Sequence, residues 1–152
     1  MPSGTHDSQQ QFNFFYVIII SCSIAVLWLI PLFMMMIRRV GSGTGVWGIF
    51  SIAALLVTTI APVAYGWYKR DEIGAMLIGS APFLLTMCIL RIISGNIPSG
   101  NDSLMYSALY ILSLSLVGGV EGFFAAKKNL KSLLIAIFFA ILWIVIFLSG
   151  IH

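Results

Sequence analysis

The sequence predicts an all-α integral membrane protein, a bundle of five transmembrane helices. Hydrophobic residues make up 60% of the 152 positions and charged residues only 9%, whereas soluble domains are about half apolar and a quarter charged. The apolar residues gather into five runs of about 20 residues or slightly more, and at about 1.5 Å per residue a helix of that length crosses a hydrocarbon core of roughly 30 Å. Between the runs lie RRVGSGTG, KRDE, SGNIPSGNDS and KKNLK, all short and rich in turn formers or charge. Loops of that size leave no soluble domain, so the protein is expected to act in or at the bilayer.

Residues 1–13 form a polar N-terminal tail without Lys or Arg. The run that follows, 14–37, is too long for the apolar core of a cleaved signal peptide and is expected to stay as the first span. Pro2 removes the N-myristoylation pattern, and the C-terminal SGIH is not a prenylation box. The second span covers 46–68, with Trp47 at its start and Trp67 and Tyr68 at its end, the aromatic belt of a membrane helix.

The third span, 73–93, is interrupted by Gly79, Ser80, Ala81 and Pro82. Proline cannot donate its backbone hydrogen bond and clashes with the carbonyl four residues earlier, so a kink is expected there. A re-entrant third segment is the alternative; it reduces the topology to four crossings. The fourth span covers 104–126 and contains Glu121. The fifth, 132–151, is filled by Leu, Ile, Phe and Trp143 and is expected at the edge of the bundle. Residues 14–152 thus form one transmembrane domain.

Five crossings put Lys69, Arg70, Lys127, Lys128 and Lys131 on the side of the N-terminus, and Arg38, Arg39 and Arg91 on the other. The basic-residue count makes the first side cytoplasmic. Arg38 and Arg39 directly after the first span pull the other way. Because the basic residues flank apolar runs and form no face of their own, the net charge of +3 does not read as nucleic-acid binding.

Helices in lipid associate by close backbone approach, and small residues four apart mark the contact faces. Ala54, Thr58, Pro62 and Gly66 form one such stripe in the second span; Gly118, Gly122 and Ala126 form another in the fourth. The bundle is therefore expected to centre on the second, third and fourth helices, and the stripes suggest self-association or assembly with other membrane subunits.

Glu121 is the one acidic residue inside the spans. It precedes Lys127 by six residues, about 9 Å along a helix, which places it below the headgroups but short of the bilayer centre. An ionised carboxylate without partners costs several kcal/mol at such a depth, and a paired one much less. It is either a proton or cation site or a structural group near the interface, held by a hydrogen bond or by an ion pair with Lys69, Arg70, Lys127 or Lys131. Gly79, Ser80, Pro82 and Arg91 form a candidate substrate or anion site, since a helix restarted after a break presents free N–H groups and a positive dipole end. For Arg91 the competing role is to anchor the helix by reaching to the surface along its own stem.

Enzyme chemistry has little material. The two histidines, His6 and His152, are terminal and no span holds an Asp, which disfavours a bis-histidine haem, an aspartyl dyad and a histidine metal site. Met34, Met35 and Met36 fan out around a helix instead of converging on a soft metal, and Cys22 and Cys88 lie at different depths on parallel helices. No metal, cofactor or catalytic residue is expected. The leading expectation is a non-enzymatic packing or accessory subunit of a homo- or hetero-oligomeric membrane complex, with the lipid bilayer as its surroundings. The alternative is a small ion, proton or solute transporter or channel using Glu121 and the broken third helix.

Overall fold

The computed structural model describes the backbone of residues 4–38, 46–94 and 101–149, and the side-chain surroundings of 14–31, 49–89, 92 and 108–149. It contains five helices in chain order: α1 (Gly4–Arg38), α2 (Val46–Lys69), α3 (Glu72–Ser94), α4 (Asn101–Ala126) and α5 (Leu130–Ser149). Each carries a window long and apolar enough to cross a membrane. The protein is a polytopic helical membrane protein with five spans.

Two boundaries differ from the sequence reading in instructive ways. Helix α1 begins at Gly4, so the polar residues before Phe14 continue the first span as helix; its apolar window still starts at Phe14, and glutamine-rich sequence is compatible with helix outside lipid. Helix α3 runs as one helix from Glu72 to Ser94 with Pro82 inside it, so the chain is not broken at Gly79–Pro82 as the re-entrant and anion-site alternatives require. Proline leaves the Ile78 carbonyl without its usual donor, and packing from neighbouring helices can support such a residue within a span; Thr86 Oγ1 donates to the carbonyl of Pro82 itself at 2.8 Å. The third segment is a span, and the re-entrant alternative falls.

Short loops are ended by side-chain caps. Asp71 Oδ1 accepts from the Gly74 N–H at 2.9 Å at the start of α3, and Asn129 Oδ1 accepts from the Ser132 N–H at 2.6 Å at the start of α5. Both satisfy N–H groups that a helix start leaves without intrahelical partners. Asp71 Oδ2 also accepts from the Tyr65 hydroxyl at 3.2 Å, tying the turn back to α2.

Packing is densest between α3 and α4, which form the middle of the bundle; α1 leans mainly on α3, α2 spans both, and α5 leans on α4. The α3–α4 seam is built from glycine. A Cβ added to Gly79 would overlap the Gly118 carbonyl, one added to Gly118 would overlap the Gly79 carbonyl, and one on Gly122 would overlap the carbonyl of Ala75. Gly66 brings α2 into the same seam, where a Cβ would lie 3.0 Å from the Gly122 oxygen and the Ala126 nitrogen. Backbones this close gain dispersion contacts that lipid tails cannot match.

The other end of the bundle is aromatic. Phe83 of α3 makes edge contacts with Tyr110 of α4 at 6.3 Å and with Trp143 of α5 at 6.1 Å. Phe147 stacks on Trp143 at 5.4 Å and meets Trp28 of α1 at 5.0 Å. The cluster therefore joins four helices, and its polar edges are partly satisfied: Trp28 Nε1 donates to Thr58 Oγ1 at 2.7 Å, and the Tyr110 hydroxyl donates to the Phe147 carbonyl at 3.0 Å. Outside the core, large apolar side chains such as Ile49, Ile52, Leu116, Leu134 and Phe138 are exposed, as expected of helices whose outer faces meet lipid.

Candidate functional site

Glu121 sits on α4 between Gly118 and Gly122, the two glycines that draw α3 against α4. The close approach encloses it: its side chain is 1% exposed. Its Oε1 has no hydrogen-bond partner among the described residues. The ion pair considered from sequence is not formed, because the basic groups at that end turn outward. Lys127 lies over the rings of Phe123 and Phe124 at 4.5 and 5.4 Å, Lys69 lies over Tyr68 at 5.5 Å, and Arg70, Lys128 and Lys131 are exposed.

Two further polar atoms near Gly118 are buried and unpartnered, Ser115 Oγ and Trp143 Nε1. The indole nitrogen lies 3.5 Å from the point a Gly118 Cβ would occupy. Ser115 and Glu121 stand three residues to either side of Gly118, about 4.5 Å along the helix axis in each direction. Among the described residues, a hydroxyl, an indole N–H and a carboxyl atom are thus left without partners on the two helices that meet at Gly118, α4 and α5. Unsatisfied polar atoms inside a membrane bundle are costly and rare.

Ser115 also lines a groove of about 280 Å³ between α3 and α4, together with Met76, Ser80 and Gly119. An apolar groove of about 390 Å³ separates α2 from α5, lined by Thr59, Val63, Trp67 and Ala140 among others. Glu121 lines neither. It is an enclosed group; the α3–α4 groove reaches Ser115, about 9 Å earlier along the same helix.

The remaining sequence candidates fall in different places. Gly79 is a packing residue at the α3–α4 contact and Pro82 is buried in the helix interior. Ser80 Oγ is spent on the Met76 carbonyl at 2.9 Å. With α3 continuous there is no restarted helix to hold an anion at these residues, and the side chain of Arg91 lies outside the described ones. Ala54, Thr58, Pro62 and Gly66 are all buried on one face of α2, and Gly118, Gly122 and Ala126 on one face of α4. These stripes meet helices of the same chain, not an outer surface.

Helix α5 is an edge helix whose buried residues are Ser132, Ala136 and Trp143, and sequence reasoning did not find the burial of Trp143, one of the largest fully buried side chains. Its signal was faint: an aromatic residue in an apolar run has no period of its own. Cys22 and Cys88 are free and exposed, and among the described residues no three His, Cys, Asp or Glu side chains gather as a metal site would require. No protein-family model, curated protein or solved structure matches this chain.

Proposed function

We propose that this non-enzymatic membrane protein moves protons or small cations, or couples them to a solute, with Glu121 as the titrating or cation-accepting group. The observation that supports this reading is the enclosure of a carboxyl side chain within a span without a partner for Oε1. Intramembrane acids that face a bundle interior are expensive and are characteristic of ion and proton pathways. Ser115 and Trp143 supply further hydrogen-bonding groups along the same seam, and the groove at Ser115 is the route by which water would first approach it. A proton or ion reaching Glu121 requires movement of the helices that enclose it.

The accessory-subunit reading rests on the small-residue stripes, the short loops and the shortage of catalytic groups. The stripe residues are occupied within the chain, and so is Glu121, which moves the balance toward an internal ion site. The basic turns Lys69–Arg70 and Lys127–Lys128 are assigned to the cytoplasmic end by the positive-inside preference.

The experiment is proton flux into liposomes containing the purified protein, with a pH gradient and an imposed potential, for wild type and Glu121→Gln. Flux in the wild type that Glu121→Gln removes supports the reading. Equal flux in both removes Glu121 from the mechanism. Absence of flux with a stoichiometric co-purifying membrane protein returns the accessory reading to first place.

A further inference from the structure

A third cavity, which like the other two is not lined by Glu121, lies where the start of the α1 apolar window meets the α2–α3 turn. It has a volume of about 460 Å³ and is lined by Phe14, Val17, Lys69, Arg70, Asp71, Ile73, Gly74 and Leu77. Its position is set by the fold: the apolar windows of α1, α2 and α3 begin or end at Phe14, Lys69 and Glu72. The groove therefore straddles the boundary between hydrocarbon and headgroups, charged at one end and apolar at the other.

The charged end has an orientation. Of the two acids in the turn, Asp71 is committed on both oxygens, to the Gly74 N–H and the Tyr65 hydroxyl, while Glu72 lies exposed in the first turn of α3 and does not line the cavity. Arg70 has φ 56°, the left-handed position after a helix that glycine normally fills, and its N–H closes α2 by donating to the Gly66 carbonyl at 2.9 Å. A side chain other than glycine costs conformational energy there. Lys69, whose ammonium lies 5.5 Å from the centre of the exposed Tyr68 ring, and Arg70 are the two cations that line the groove. The left-handed backbone at Arg70 recurs at Lys128 (φ 50°) in the other basic turn, so a ligand is called for by the groove and its charges, not by the backbone.

We infer that this groove is a phospholipid site, with the phosphate held by Lys69 and Arg70 and an acyl chain lying along Phe14, Val17 and Leu77. Guanidinium and ammonium groups give charge-assisted bonds to phosphate oxygens, and basic residues just outside a span attract phospholipid headgroups. The apolar wall supplies what free phosphate would lack, a surface for the chain. The second basic turn provides an internal control: it too has a lysine over aromatic rings and a left-handed basic residue, Lys128 at φ 50°, but Lys127 and Lys128 line none of the cavities described above.

The test is native mass spectrometry of full-length protein released from nanodiscs of phosphatidylcholine and phosphatidylglycerol, comparing wild type, Lys69→Gln/Arg70→Gln, Leu77→Trp and Lys127→Gln/Lys128→Gln. Wild type is expected to retain one phospholipid, and the first double variant to retain it about tenfold less strongly. Leu77→Trp, which keeps both cations and fills the chain's channel, is expected to lose it too. The Lys127/Lys128 variant is expected to match wild type. Equal retention by wild type and Lys69→Gln/Arg70→Gln overturns the inference. So does equal weakening in the two double variants, which marks diffuse charge attraction. Displacement of the lipid by inorganic phosphate alone would show a phosphate site without an acyl requirement and also overturns it.

Discussion

Gly79 and Gly118 face each other across the α3–α4 contact so closely that a methyl group on either would occupy the other's carbonyl. The backbones themselves make the contact, and neither residue can grow without parting the helices. Gly118→Ala and Gly79→Ala are each expected to destabilise the folded protein by about 1–3 kcal/mol, the usual cost of overpacking. Thermal unfolding in mild detergent measures it. Because the contact is inside one chain, the oligomeric state of the remaining folded protein should not change; dissociation of an oligomer without loss of folding would contradict this placement.

The Trp28–Thr58 hydrogen bond fastens α1 to α2 within the aromatic end of the bundle. Thr58→Val keeps the shape and removes the acceptor, with an expected cost of roughly 0.5–2 kcal/mol. A double-mutant cycle with Trp28→Phe isolates the pair. Additive effects would mean that the bond contributes nothing to stability.

Asp71 caps α3 and accepts from Tyr65 at once. Asp71→Ala is expected to lose about 1 kcal/mol or more, while Asp71→Asn, which retains a capping oxygen, recovers most of it. If Asn and Ala are equally destabilising, the negative charge matters more than the cap.

Cys22 and Cys88 both lie exposed within apolar windows. In intact vesicles Cys22 is expected to react with a membrane-permeant maleimide and to resist a charged, impermeant one from either side. Fast reaction of Cys22 with the charged reagent would place that face of α1 against water.

Glu121→Gln preserves the size of the side chain while abolishing its titration. Folded stability at neutral pH is expected to be unchanged or improved, since no partner of Oε1 among the described residues depends on the charge. Chemical denaturation across pH checks this: the pH dependence of the wild type should be reduced in the variant. A large loss of stability at every pH would show that the carboxylate is a structural group.

The number of spans was legible because lipid demands about 20 apolar residues from every crossing helix, and the stripes in α2 and α4 were legible because small residues stand out against Leu and Ile. What the stripes touch was not. A small residue announces close approach without naming its neighbour, and Gly79, spaced four from Ala75, belonged to the same kind of stripe although Pro82 drew attention to a break instead. Helix α3 stays continuous through Pro82, and Pro82 is buried against other helices, a packing that the residues next to it in sequence do not spell out. Glu121 was identifiable as an intramembrane acid, but its isolation follows from lysines that turn outward onto Phe123, Phe124 and Tyr68, a choice made by side-chain geometry alone.

Three inward-facing prolines, Pro31, Pro62 and Pro82, sit deep in the interior of α1, α2 and α3, and α4 and α5 have none. Each leaves the carbonyl one turn earlier without its usual donor, so the first three helices each carry a point of weakened hydrogen bonding that proline does not introduce into the last two. In α3 that point falls between the part clamped by glycine to α4 and the part embedded among aromatic rings. Bending there would swing one half of α3 while the other stays fixed, a hinge built beside the helix that carries the buried acid.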